Sequence, residues 1–170
     1  YIDLVKDHFP GKSFLTTPMR KEVDRCVMAF DEAMKDQTVS MICSGDAGVY
    51  GMAGLMYEIG ANYPEVELEV VAGVTAATGG AAVLGAPLIH DFCLISLSDL
   101  LTPWEKIEKR LLLASEADFV IVLYNPSSHK RHDYQKKACY KALKEGKLRI
   151  CVPFNGSDFS INYFEPVLLE

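Results

Sequence analysis

One glycine-rich stretch of this chain carries a carboxylate where it could bind a ligand. The stretch is SGDAGVYG, residues 44–51, and its carboxylate is Asp46. A run typical of a buried strand, Thr38 to Cys43, precedes it, and a run typical of a helix, Val49 to Ile59, follows it. Ligands of open α/β sheets bind beyond the carboxyl ends of the strands. A carboxylate there can accept hydrogen bonds from a hydroxyl or ammonium group. The alternative is an ordinary loop in which Asp46 caps the helix. The stretch fits neither of the two common nucleotide-binding fingerprints.

A second turn of the same kind follows. Alternation and β-branched residues predict a strand from Val66 to Val71. The turn AGVTAA, residues 72–77, then leads into a helix of small residues that ends near Leu84. This helix contains two adjacent glycines, each of which costs about 1 kcal/mol relative to alanine. Such a cost predicts a close neighbour, which could be another helix, a strand or a flat ligand.

A third loop of interest comes at the end of a later strand. A buried strand is predicted from Asp118 to Tyr124, and it ends in YNPSS, residues 124–128. The basic stretch HKRH, residues 129–132, follows. Its two histidines have helical spacing but no third ligand nearby, so no metal site is predicted. Lys130 and Arg131 either lie on a solvated surface or pair with carboxylates of a substrate, which suits the planar guanidinium group.

The order of the predicted elements indicates an α/β fold. Strands and helices alternate along the chain, with about five strands joined by crossover helices, which implies largely parallel sheets. Further elements are a helix over 23–34, a strand over 92–97, a helix that begins near Thr102 and a short strand over 149–152. A break near residues 86–91 predicts two α/β domains, residues 1–88 and 89–170.

Composition restricts the classes of function. The chain has 170 residues, 49% of them hydrophobic, and a net charge of −6, which argues against broad nucleic-acid binding. It has no apolar run of 18 residues, so no membrane span is predicted. The five cysteines show no C-x-x-C spacing and read as reduced, structural residues of a cytoplasmic protein.

Taken together, these motifs resemble the tetrapyrrole methylase family. Its members are S-adenosylmethionine-dependent enzymes built from two α/β domains with an active cleft between them. The resemblance covers about residues 1–148, and the run ISLSDLLTPW is specific to one branch of the family. The matching motifs are SGDAGVYGMAG (44–54), VVAGVTAA (70–77), LGAPLIHDF (84–92), ISLSDLLTPW (95–104) and YNPSS (124–128).

The resemblance implies a reaction and a cofactor site. The branch methylates C17 of a corrin-pathway tetrapyrrole, precorrin-3B or cobalt-factor III, with ring contraction, in cobalamin biosynthesis. The methyl donor would be S-adenosylmethionine, bound in the cleft. The residues expected to line its site are Ser44, Gly45, Asp46, Thr75, Ala76 and Asn125. The partner would be an anionic tetrapyrrole, with Lys130 and Arg131 on its carboxylates, and the family's usual state is a homodimer.

The implied chemistry needs positioning more than a reactive side chain. Transfer from a sulfonium is an in-line displacement that requires donor and acceptor carbon about 3 to 3.5 Å apart. Ring contraction also moves protons, so a general acid or base is expected. Position alone suggests four candidates, which are His90, Asp91, Asp99 and Tyr124.

The sequence also departs from the family pattern in two places. The first strand and the glycine-proline-glycine loop of the family do not occur here, and the tail from Cys151 to Glu170 does not follow the expected pattern. Three alternatives therefore stand beside the C17 methylase. They are another methyltransferase of the family, such as one acting on ribosomal RNA or the diphthamide precursor, an S-adenosylmethionine-binding module without catalysis, and an unrelated doubly wound domain.

Overall fold

The computed structural model describes residues 2–126, 133–134 and 136–138 and the backbone of 150–151. It contains helices and strands in alternation after a helical first half. In chain order, the elements are α1 (Ile2–Val5), a 3₁₀ turn (Lys6–His8), α2 (Glu22–Ala33), α3 (Ala53–Gly60), α4 (Ala76–Val83), β1 (Phe92–Ser96), α5 (Trp104–Glu116), β2 (Val120–Tyr124) and β3 (Ile150–Cys151). Residues 134 and 136–138 are helical as well.

The strands form one parallel sheet in the order β1-β2-β3. Phe92 pairs with Val120 at one end of the β1–β2 ladder, and Ser96 pairs with Tyr124 at the other. α5 connects these two strands and packs against both, as a parallel crossover requires. All five residues of β2 are buried, which explains why its sequence, VIVLY, is apolar throughout. The predicted strands near 92–97, 118–124 and 149–152 and the helix after Thr102 are confirmed.

The sheet and α5 enclose a hydrophobic core. Its buried members come from the strands and from the helices that pack on them. Four partly buried residues pack against this set, which are Cys93, Trp104, Ala114 and Tyr134. The buried set is Ile95, Leu97, Ile107, Leu111, Ile121, Leu123 and Ala138.

A second, smaller core lies between α2 and α3. It is centred on Cys26, Phe30 and Met56. The Phe30 ring stacks on the Tyr63 ring with centroids 4.8 Å apart. The Tyr63 hydroxyl donates a hydrogen bond to Asp31 Oδ1 at 3.1 Å. Helical spacing predicted the apolar face of α2, and the structure confirms the helix within one residue at either end.

Two predicted strands differ from the structure. Residues 38–43 and 66–71 belong to no strand, and neither segment pairs in a ladder with another described residue. Their alternation still has a physical meaning, because Met41, Val66 and Leu68 pack against the core around Phe30. Alternation therefore indicated the side that faces the core, but pairing depends on a neighbouring strand that periodicity does not reveal.

The helix predicted from Val49 begins later, at Ala53. Residues 46–49 form a tight turn instead, in which the Val49 N–H donates to the Asp46 carbonyl oxygen at 3.1 Å. The Ala53 N–H then donates to the Ala47 carbonyl oxygen at 3.0 Å and closes the loop. The glycines of the stretch thus belong to a loop of their own, not to the first turn of a helix.

The chain groups into two compact units, Tyr1–Thr75 and Ala76–Glu170. This division lies N-terminal to α4, whereas the sequence places a domain boundary between residues 88 and 89. The two α/β domains with that boundary stay a prediction. Within the part of the chain that the structure describes, no helix is long and apolar enough to cross a bilayer.

We expect α5 to distinguish core from surface leucines. Leu111 is fully buried and Leu113 is 54% exposed on the same helix. Leu111→Ala should lower the free energy of unfolding by about 2 to 5 kcal/mol because it leaves a cavity. Leu113→Ala should cost less than about 1 kcal/mol. Urea unfolding followed by circular dichroism measures both, and equal losses would contradict the packing described here.

Candidate functional site

Asp46 joins two glycine-rich loops within the first unit. Its Oδ1 accepts a hydrogen bond from the Gly48 N–H at 2.8 Å, inside its own loop. Its Oδ2 accepts one from the Gly73 N–H at 2.9 Å, 27 residues further along the chain. One carboxylate therefore holds the loop of residues 44–51, the first loop, against the loop of residues 72–75, the second loop.

The two loops meet backbone to backbone. A Cβ atom on Gly73 would overlap the carbonyl oxygen of Gly45, so only glycine fits at this point. Gly45 has a φ of +71°, which glycine adopts without strain. On the other side, a Cβ on Gly45 would lie 3.6 Å from the Val74 carbonyl oxygen and 3.7 Å from Thr75 Cα. The docked loops thus bring together Ser44, Gly45, Asp46 and Thr75, four of the predicted cofactor-binding residues.

The charge on Asp46 depends on these bonds. The Gly73 N–H first, and then the Gly48 N–H, lower the pKa of this carboxyl below its ordinary value. A lowered pKa means that the folded chain favours the ionised form. This contribution to stability is therefore present above the ordinary pKa of aspartate, about 3.9, and is lost as pH falls through the lower folded value. The helix-cap alternative for Asp46 is wrong, because α3 begins at Ala53 with Met52 at its N-cap position.

In the second unit, polar groups lie at the carboxyl ends of β1 and β2. The Ser96 hydroxyl oxygen accepts a hydrogen bond from Asn125 Nδ2 at 2.9 Å and another from the Ser98 N–H at 3.2 Å. Asn125 has a φ of +51°, a left-handed conformation that asparagine tolerates better than most residues. Parallel strands end at the same edge, so Ser96 and Asn125 come together there although they are 29 residues apart.

Tyr124 connects this edge to α4. Its side chain is buried, and its phenolic oxygen accepts a hydrogen bond from the Ala77 N–H at 3.0 Å. This bond satisfies one of the N–H groups that the first turn of a helix leaves without a partner. Ala76, the first residue of α4, is therefore held near the carboxyl end of β2 within the same unit.

Asp99 pairs with a tyrosine that sequence reasoning missed. The Tyr134 hydroxyl donates a hydrogen bond to Asp99 Oδ2 at 2.7 Å. The centroids of the Tyr134 and Trp104 rings lie 4.6 Å apart, and Lys137 Nζ lies 5.2 Å from the centroid of the Tyr134 ring. The bond to Asp99, followed by burial, raises the pKa of Tyr134 above the ordinary value. Nothing in the sequence around Tyr134 marks it, since its partner is 35 residues away.

The remaining candidates lie elsewhere. His90 and Asp91 precede β1, at the opposite end of the strand from Ser96, and both are exposed. Asp91 contributes its carbonyl oxygen to the Val120 N–H at 2.9 Å. Lys130 and Arg131 lie outside the described residues. Among the residues that the structure describes, no group of three or more His, Cys, Asp or Glu could hold a metal ion.

The geometry defines an α/β protein with polar loops at strand ends and a parallel sheet. A model of the family "Tetrapyrrole (Corrin/Porphyrin) Methylases" matches residues 3–152. The chain belongs to this family. The resemblance that rested on the sequence motifs is thereby confirmed.

Two curated relatives and one solved structure illustrate the similarity. The chain is 49% identical over 139 residues to a "Probable cobalt-factor III C(17)-methyltransferase" of Salmonella typhimurium, covering 81% of this chain and 58% of that protein. It is 47% identical over 126 residues to the "Precorrin-3B C(17)-methyltransferase" of a Sinorhizobium species, covering 72% and 50%. The crystal structure of the methyltransferase CobJ matches with a TM-score of 0.75 at 37% identity, over 86% of this chain and 64% of that one. The chain thus spans little more than half the length of these curated relatives.

Gly73 should tolerate no side chain. Gly73→Ala should lower the free energy of unfolding by about 1 to 3 kcal/mol, because the added methyl overlaps the backbone of the first loop. Gly54→Ala is the matched control, since nothing lies within 4 Å of its Cβ position in α3. It should leave stability unchanged or raise it by up to about 1 kcal/mol. Chemical unfolding compares them, and a neutral Gly73→Ala would contradict the close approach.

Tyr134 should ionise later than free tyrosine. Tyrosine ionisation is followed by ultraviolet absorbance at alkaline pH in the wild type and in Tyr134→Phe. The difference between the two titration curves belongs to Tyr134, and its midpoint should lie above the ordinary pKa of about 10. Asp99→Asn should move it back toward that value. Because the folded pKa is raised, the associated stability is present below pH 10 and is lost as pH rises through the folded value. Asp91→Asn, at the far end of β1, should leave the titration unchanged. If the pKa of Tyr134 in Asp99→Asn stayed at its wild-type value, Asp99 would be ruled out as the cause of the shift.

Proposed function

We propose that this chain carries out S-adenosylmethionine-dependent methylation of C17 of a corrin-pathway tetrapyrrole in cobalamin biosynthesis, with ring contraction. The observation that carries the proposal is the identity of almost half of the aligned residues to C17-methyltransferases from two organisms. The branch-specific run ISLSDLLTPW supports it, since the run passes through the polar edge of the sheet at Ser96 and Asp99. Two α/β domains, residues 1–88 and 89–170, belong to the same proposal.

The residues at the loops fit the polar groups of S-adenosylmethionine. In the first unit, the two loops meet at Gly45 and Gly73, which have no side chains to keep a ligand away from the backbone. The backbone around Ser44, Gly45 and Thr75 can therefore bond an ammonium group or ribose hydroxyls. In the second unit, Asn125 presents an amide that can both donate and accept, and Ser96 holds it. We assign Ser44, Gly45, Thr75, Ala76 and Asn125 to contacts with the cofactor, and Asp46 to the same site, where it bonds both loops.

The protein's part in the reaction would be positioning. S-adenosylmethionine supplies an electrophilic methyl group when it is bound. The chain would align that methyl group with the acceptor carbon and exclude water, which accounts for much of the rate enhancement in such reactions. Among the four acid–base candidates, Asp99 and Tyr124 lie at the carboxyl edge of the sheet, whereas His90 and Asp91 lie at its other end. Of the first two, we prefer Asp99, because a carboxylate can accept a proton, whereas the Tyr124 phenol is buried and its oxygen accepts the Ala77 N–H.

The substrate and the assembly follow from the same proposal. A tetrapyrrole of this pathway carries many carboxylates, and Lys130 and Arg131 would bind them by charge-assisted hydrogen bonds. The net charge of −6 fits a small-molecule substrate better than a nucleic acid. A cytoplasmic homodimer completes the proposal.

Calorimetric titration with S-adenosylhomocysteine tests the cofactor site. We expect micromolar binding to the wild type. Asn125→Gly should weaken it about threefold to tenfold, because it removes one hydrogen-bonding amide at a position where glycine accepts the positive φ. Asn62→Gly is the matched control, since the Asn62 amide bonds only the local Ile59 carbonyl oxygen at 3.2 Å and should not affect binding.

Methyl transfer to precorrin-3B and to cobalt-factor III, followed with labelled methyl donor, then tests the reaction. Transfer to either compound supports the proposal and identifies the substrate. Binding of S-adenosylhomocysteine with transfer to neither would favour a binding module without catalysis. Failure to bind would refute the cofactor assignment.

A further inference from the structure

We propose that Asp46 is a positioning residue, which raises cofactor affinity by docking the second loop onto the first. This inference rests on the proposed function, since it assumes that these loops bind S-adenosylmethionine. It changes the role of Asp46, because the family resemblance alone placed this carboxylate among the groups that contact the cofactor.

The first argument is the use of the carboxylate oxygens. Each oxygen accepts one backbone N–H, from Gly48 at 2.8 Å and from Gly73 at 2.9 Å. One bond sets the shape of the first loop and the other fixes the second loop against it. The depressed pKa of Asp46 has these two bonds as its largest causes, so the charge is stabilised by the loops themselves.

The second argument is that burial of side chains contributes little where the two loops meet. At the point of contact both partners are glycines, Gly45 and Gly73, which bury no side chain. The flanking apolar residues do not anchor the second loop either, because Val71 is 77% exposed and Val74 is 71% exposed. A loop that gains so little from burial depends on its hydrogen bonds, and a bond to an ionised carboxylate is the strongest kind available.

The expected effect on affinity follows from population. If only a fraction of the chains has the second loop docked, the apparent dissociation constant rises by the inverse of that fraction. Loss of the Asp46 carboxylate would therefore weaken cofactor binding even without any direct contact. Once the second loop is undocked in nearly all chains, the affinity is that of the undocked form, so a second change that undocks the same loop should not weaken binding further.

A double-mutant cycle separates docking from direct contact. S-adenosylhomocysteine is titrated into the wild type, Asp46→Ala, Gly73→Ala and the double variant. Each single variant should weaken binding about tenfold or more. The double variant should bind within about twofold of the single variant that binds more weakly, because both changes break the same contact between the first and second loops. Fold-changes that multiply in the double variant would mean that Asp46 contacts the cofactor itself, and would overturn the inference. An unweakened Asp46→Ala would overturn it too.

Hydrogen exchange of backbone amides tests docking without any ligand. In Asp46→Ala the Gly73 amide should exchange at least tenfold faster than in the wild type, while the amide of Val122 in β2 should not change. Asp46→Asn keeps one acceptor oxygen and should give an intermediate rate. Equal exchange rates of the Gly73 amide in the wild type, Asp46→Ala and Asp46→Asn would overturn the inference. This test does not need Gly73→Ala, so it stands even if that variant fails to fold. If the wild type binds no S-adenosylhomocysteine, the proposed function fails and takes the affinity claim with it, whereas the exchange rates still judge the docking.

Discussion

The parallel pairing of β1 with β2 is the constraint on which the second unit depends. Because the two strands run in the same direction and pair from Phe92–Val120 to Ser96–Tyr124, their carboxyl ends meet at one edge. α5 must cross from one strand to the next to allow this, and its buried Ile107 and Leu111 belong to the core that the helix and the strands share. The pairing alone brings Ser96 within hydrogen-bond distance of Asn125. The polar residues that follow the two strands therefore come together as a consequence of the pairing.

The first unit reaches a comparable arrangement by different means. Its two glycine loops follow segments that pair with no described strand, so no ladder aligns them. Small residues allow the backbones to approach, and one ionised carboxylate bonds across the gap. A ladder spreads its stabilisation over many backbone bonds, whereas here one side chain bonds both loops. A single substitution should therefore have a larger effect on these loops than on the edge of the sheet.

Sequence periodicity predicted the elements that have a regular pattern of burial. β2 and α5 were predictable because a strand buried on both faces and an amphipathic helix each leave a strong pattern. In segments 38–43 and 66–71, the apolar residues indicate which side faces the core, but not whether the segment pairs in a sheet. Met41 and Leu68 pack against the core although neither segment forms a strand. The start of α3 was misplaced because a tight turn at residues 46–49 uses the same small residues as a helix. The bonds of Asp46 to Gly73 and of Tyr134 to Asp99 join distant residues, and no local pattern encodes them.

The run ISLSDLLTPW shows how one short segment can serve both core packing and polar contacts. Ile95 and Leu97 are buried in the core, and Trp104 packs at its margin. Between them, Ser96 accepts a hydrogen bond from the Asn125 amide, and Asp99 accepts one from the Tyr134 hydroxyl. Because core and polar residues alternate so closely, a change at a core position would move the polar groups beside it. A segment under both demands has few acceptable alternatives at its core positions and at its polar positions alike.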